Sequence, residues 1–232
     1  MTLILGGIFL LTNYYDKPFF STSVSSAISH LASRNKCAKI KIIHDKNLDP
    51  MAYAIGFGSK TNASLIVGGI DESDWFTSSL LISLAQAICE ALSQNNYLLG
   101  INLTKLFSNK GLWIIPSIAS SNSINPYSFI CEKLDPRRLI ELKLSGETVR
   151  YNFGKKTPPN SKLMAYIFAS SCGYLLDRKK SHDEDELCNW FVNELSRPAF
   201  SIFVGRECDL SPSDVEPILT RLLESFLLFI AA

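Results

Sequence analysis

Several stretches of the chain are apolar without alternation, and this is the strongest pattern in it. "ASLIVGG" (63–69), "GLWIIPSI" (111–118) and "PAFSIFVG" (198–205) are short apolar runs closed by glycine or proline, as expected of strands buried on both faces. "AKIKIIH" (38–44) alternates, and "MAYAIGFG" (51–58) reads as a strand joined to 63–69 through a hairpin turn at "SKTN" (59–62). "RRLIELKLS" (137–145) is a further strand, with "TVRYNF" (148–153) as its expected neighbour. Helical spacing runs through 22–34 with Ser21 and Thr22 as caps, through 74–93, 160–176 and 186–195, and from Ser213, a cap, to 230. The alternation of strands and helices predicts one α/β domain over 1–232, a mixed and mostly parallel sheet with helices on both faces. No repeat, linker or low-complexity tract divides it.

Composition narrows the function. Lys+Arg 23 against Asp+Glu 22 leaves a formal charge of +1, so no basic excess argues for nucleic acid or a membrane surface. The six cysteines are scattered without a CxxC spacing, which reads as reduced, buried thiols. "TLILGGIFLL" at the start has the length of a signal-peptide core but lacks a basic flank and a small-residue cleavage site. It is therefore expected to be a buried strand in a cytoplasmic protein.

Chemistry concentrates in "VGGIDESDW" (67–75), where a strand ends in two glycines and three acids precede a long helix. The carboxyl end of such a strand is where α/β proteins place reactive groups. Asp71 and Asp74, three apart, share a face of any helical turn. Both also read as ordinary caps that accept backbone N–H groups. Lys143 reads equally as a side chain snorkelling at a strand end, and Phe203 as core. His182 lies among acids in "SHDEDE", which reads as a solvated surface loop rather than a metal site.

Taken with "LIELKLSGE" (139–147) and "RPAFSIFVG" (197–205), this stretch resembles the zinc carboxypeptidase family in its carboxypeptidase A-like fold, and most nearly the bacterial γ-D-glutamyl-diaminopimelate endopeptidases. The resemblance covers most of the chain after about residue 38. It implies that Asp71 and Asp74 stand where the family has a zinc-binding His and Glu. Lys143 stands at the third ligand, a His, with Gly146 and Glu147 keeping the frame, and Phe203 at the catalytic Glu. A protonated Lys has no lone pair for zinc, and Phe203 cannot carry a proton. The family's Asn and Arg anchor for a substrate carboxylate has no match in "PSIASSNSIN" (116–125), and Arg137 and Arg138 are not carried over to it. The expectation is a protein without zinc or catalytic residues. Asp71, Asp74, Trp75, Lys143 and Phe203 would line a relic pocket open to a peptide or a protein partner. The alternative is a zinc-dependent peptidase with substituted ligands. Oligomeric state is not legible.

Overall fold

Residues 63–67 and 111–115 have no polar side to turn to water, so each needs a strand on both edges and a helix layer on both faces. The computed structural model, which describes residues 21–70, 74–119, 126–151, 153–179, 187–205 and 210–232, provides that. In chain order the elements are α1 (Ser21–Arg34), β1 (Lys39–His44), β2 (Pro50–Gly58), β3 (Ala63–Val67), α2 (Trp75–Gln94) and a small hairpin of β4 (Tyr97–Leu98) and β5 (Ile101–Asn102). There follow α3 (Leu103–Asn109), β6 (Gly111–Ile115), α4 (Pro126–Leu134), β7 (Arg138–Leu144), β8 (Thr148–Arg150), α5 (Pro159–Cys172), β9 (Leu175–Asp177), α6 (Leu187–Leu195), β10 (Ala199–Val204) and α7 (Val215–Ala231). The expected strand and loop at 1–10 and 180–186 lie outside the described residues.

Eight strands form one sheet in the order β1-β2-β6-β3-β7-β10-β8-β9. The inner four, β6, β3, β7 and β10, run parallel, while β1, β2 and β8 are antiparallel to their inner neighbours. One face is covered by α1, α2, α3, α5 and α7, the other by α4 and α6. The single α/β domain with a mixed, mostly parallel sheet is the architecture the periodicity predicts.

Two pairings differ from expectation. β2 and β3 are not a hairpin: β6 lies between them, with Gly58 opposite Gly111 and Ala63 opposite Gly111 on its other edge. Gly111 permits this, because a Cβ there would meet the Ser59 carbonyl oxygen at 1.9 Å. β8 likewise pairs with β10 rather than β7. Turn spacing suggests neighbours, but a buried apolar strand from far along the chain offers more burial than a local hairpin would. The helix expected over 160–176 ends at Cys172, where Gly173 takes the left-handed conformation with φ +72°, and 175–177 continue as β9. The expected caps also move. Ser21 and Thr22 lie within α1, and Ser211 rather than Ser213 forms a capping box with Asp214 ahead of α7. Two short helices, α3 and α4, are additional to the periodic segments.

The helix α2 is buried along most of its length, and Leu81, fully buried, packs under the Gly68 turn, where a Cβ at residue 68 would lie 3.1 Å from its Cδ1. Leu81→Ala is expected to lower stability by about 3 kcal/mol, within the usual range for buried leucines. Urea denaturation checks this: the midpoint should fall while the slope with denaturant is unchanged.

Candidate functional site

Because β3 leads into α2 on one face and β6 into α4 on the other, the carboxyl ends of these neighbouring strands lie where the connections diverge, the position at which α/β folds place ligands. The turn after β3 is rigid. The Gly68 N–H donates to the Ile115 carbonyl at 3.0 Å, and the Gly69 N–H donates to Thr77 Oγ1 at 2.8 Å. Gly69 has φ +56°, and a Cβ there would lie 2.3 Å from Ser78 Oγ and 2.5 Å from the Pro116 carbonyl. A glycine is required on both counts.

Asp74, buried, caps α2: its Oδ1 accepts the Thr77 N–H at 3.0 Å. Trp75 follows, half-buried, edge-on to Phe76. Asp71 lies outside the described residues. Of the two readings for the acids, Asp74 performs the capping one.

Lys143 and Phe203 are brought together. They are paired residues on the adjacent parallel strands β7 and β10, both half-buried, at the carboxyl end of the sheet. Their strands leave through linked turns, with the Gly146 N–H donating to the Gly205 carbonyl at 2.6 Å. Two segments some sixty residues apart thus meet at one end of the sheet.

Lys143 Nζ lies 3.7 Å from Oε1 of Glu141, two residues back on the same strand face. The Glu141 side chain is 1% exposed and that of Lys143 26%. Glu141 Oε2 also accepts the Cys188 N–H at 3.0 Å, at the start of α6, where the helix dipole favours a negative charge. The Cys188 thiol is pushed well above its ordinary range, first by burial and then by the Glu141 charge beside it. Ser201, paired with Glu141 across β7 and β10, has a buried hydroxyl without a strong partner among the described residues, and it faces the Cys188 thiol. Beyond it, Arg150 pairs with Ser201 on β8 and lays its guanidinium over Phe203, 4.8 Å from the ring centroid. Arg150 Nε also bonds Asp177 Oδ2 at 3.1 Å. Partial burial pushes the Asp177 carboxyl up, but the Lys179 N–H and Arg150 outweigh it and hold it below the usual range.

Glu141, Arg150, Cys188 and Ser201 are the residues that pattern reading missed. Glu141 had a visible signal, an acid inside an apolar strand, since buried acids are almost always paired. Arg138, at the other end of β7, donates to Ser64 Oγ at 2.8 Å and lies against the last turn of α7, far from these strand ends.

The resemblance implies a zinc ion, and the donor set can be tested against it. Zinc needs lone pairs from imidazole, thiolate or carboxylate. At the third ligand position stands an ammonium already paired with a carboxylate, and the described residues do not fit the ion. Among them no group of three His, Cys, Asp or Glu side chains is placed to hold a metal.

By sequence the chain matches no family model and no curated protein. Its fold, however, is shared with solved structures. Bovine thrombin-activatable fibrinolysis inhibitor, in complex with a tick carboxypeptidase inhibitor, superposes with TM-score 0.69 at 11% identity, over 94% of this chain and 98% of that one. A metallo-carboxypeptidase from Burkholderia cenocepacia gives 0.64 at 7% identity, over 92% and 69%. The LapA aminopeptidase of Legionella pneumophila gives 0.59 at 12% identity, over 98% and 70%. The fold is that of the metallocarboxypeptidases.

Two outcomes follow from the buried pair. Lys143→Met should cost about 2–3 kcal/mol, below the full price of an orphaned buried carboxylate because Lys143 is partly exposed. Adding Glu141→Gln should recover part of that loss, and a double-mutant cycle in urea measures both. Cys188 should resist iodoacetamide at pH 8 in the folded protein and react once it is unfolded, as peptide mass mapping would show.

Proposed function

We propose that this chain is a non-catalytic protein of the carboxypeptidase fold that binds a peptide in the crevice its relatives use for hydrolysis. The observation that carries the reading is the Lys143–Glu141 ion pair. A positive charge is built into the protein at the position where the resemblance implies a ligand to a metal cation. Such a cation neutralises neighbouring carboxylates but cannot activate water, which a bound metal does by lowering the pKa of that water. Phe203, at the position of the catalytic Glu, offers a half-buried ring under the Arg150 guanidinium and no group that can take or return a proton. What remains is a recognition surface: an aromatic floor flanked by Lys143 and Arg150, suited to an extended peptide with an apolar side chain and an acidic group. Within this reading the bacterial γ-D-glutamyl-diaminopimelate endopeptidases are the branch from which the crevice descends, and a cell-wall peptide is the ligand class to try first.

A second reading, a zinc peptidase with substituted ligands, is favoured by one observation. Glu141 is a buried carboxylate one strand pair below Lys143, a donor the family pattern does not include.

Hydrolysis assays separate the two. The purified protein should cleave neither γ-D-glutamyl-diaminopimelate peptides nor C-terminal residues, with or without added zinc, and should hold no stoichiometric zinc by elemental analysis. Chelator-sensitive turnover above a no-protein control would reject the first reading. Phe203→Glu alone should not restore activity, because metal and base act as a unit.

A further inference from the structure

At the amino end of the sheet, away from Lys143 and Phe203, lies a second concave site. An open groove of about 300 Å³ is lined by residues of β5, α3 and the last turn of α7. That is the lower end of the range for small-molecule sites. Leu103 and Phe107 turn one face of α3 to the core, while Lys105, Leu106 and the C-capping Lys110 lie toward the groove. β6 starts directly after Lys110, and its far end, Ile115, meets the Gly68 turn, so a whole strand separates the groove from that turn.

The charge in the groove has one sign. Among the described residues that line it, the charged ones are Lys105 and Lys110, with no acid. Lys110 Nζ donates to the Ala232 carbonyl at 3.1 Å, at the negative end of the α7 dipole, and keeps further donors. Lys105 is exposed, and its ammonium has no ion pair or hydrogen bond among the described residues. Much of the remaining wall is apolar, made by Ile101, Leu106 and the Ala231 methyl. Beside it the β4–β5 hairpin leaves Tyr97 and Leu99 exposed. Leu99 holds φ +48°, a region that a bulky side chain enters at a cost, and such strain gathers at ligand sites.

We propose that this groove binds a free medium-chain fatty acid, its carboxylate held by Lys105 and Lys110 and its chain laid on Ile101 and Leu106. Charge complementarity carries the choice of an anion, because both charged groups are cations and one of them is unanswered. The apolar wall carries the choice of an amphiphile, since an inorganic anion leaves Ile101 and Leu106 in water. Lysine ammoniums are compact point charges and suit a small carboxylate head group, without the planar fork by which arginine grips larger anions.

The test titrates the purified protein by isothermal calorimetry at low salt. The probes are decanoate, decyltrimethylammonium, acetate and inorganic phosphate. One decanoate per chain is expected, with Kd on the order of 1 mM for a ligand of this size. The other three probes should bind at least about tenfold more weakly, and added salt should weaken decanoate. Amide resonances of residues 97–110 should move with decanoate in a two-dimensional NMR titration. Lys105→Glu, at an exposed position, should weaken decanoate about tenfold or more, while Lys105→Arg should keep it within about twofold. Equal binding of the cationic amphiphile, phosphate binding as tight as decanoate, or an unchanged affinity in Lys105→Glu would each overturn the proposal. So would capture by phosphatidylglycerol vesicles without binding of free decanoate, which would make this face a membrane contact.

Discussion

The four inner strands have no face on water, and most other features follow from that. A polar side chain within such a strand loses its hydration on both sides, so functional groups emerge only where the strands end. The carboxyl ends of β3, β7 and β10 are neighbours, and there the chain has its glycine turns, a capping carboxylate, an ammonium and an aromatic ring. Glu141 departs from the rule by one pair of residues. It is tolerated because one oxygen faces Lys143 and the other accepts an N–H from the first turn of α6. The same carboxylate therefore ties a central strand to a covering helix and positions the cation above it.

Lys143 carries its charge on the strand itself, facing a carboxylate two residues away. Phe203 and Arg150 extend the same logic sideways. The guanidinium over the Phe203 ring has Asp177 for a partner, so charge is matched within the protein.

Much of this was legible in the residues. Apolar runs closed by glycine located β3, β6 and β10, and helical spacing located α2 and α7, because burial imposes those periods directly. That Lys143 and Phe203 are paired residues on adjacent strands goes beyond the shared pocket that "GGIDESDW", "LKLSGE" and "FSIFVG" suggested. Strand order was less legible. That β6 enters between β2 and β3, and β10 between β7 and β8, depends on which distant surfaces fit, and no local pattern encodes it. The Glu141 carboxylate beside Lys143 was missed for a similar reason. A resemblance directs attention to the positions a family uses, and Glu141 is not among them, although an acid in "LIELKL" is conspicuous on physical grounds alone.

The insertion of β6 also bears on how the chain reaches this structure. β2 and β3 are consecutive strands joined by a four-residue turn, so they can pair with each other as soon as both exist, long before residue 111 is available. Such a hairpin would use the one edge of each strand that belongs to β6, and it would have to open before β6 could enter between them. The native sheet instead needs contacts that close a long loop, which are slower to form than local ones. Gly111, whose bare backbone lets the Ser59 carbonyl come close, is where β6 fits between the two, and any side chain there would hold them apart.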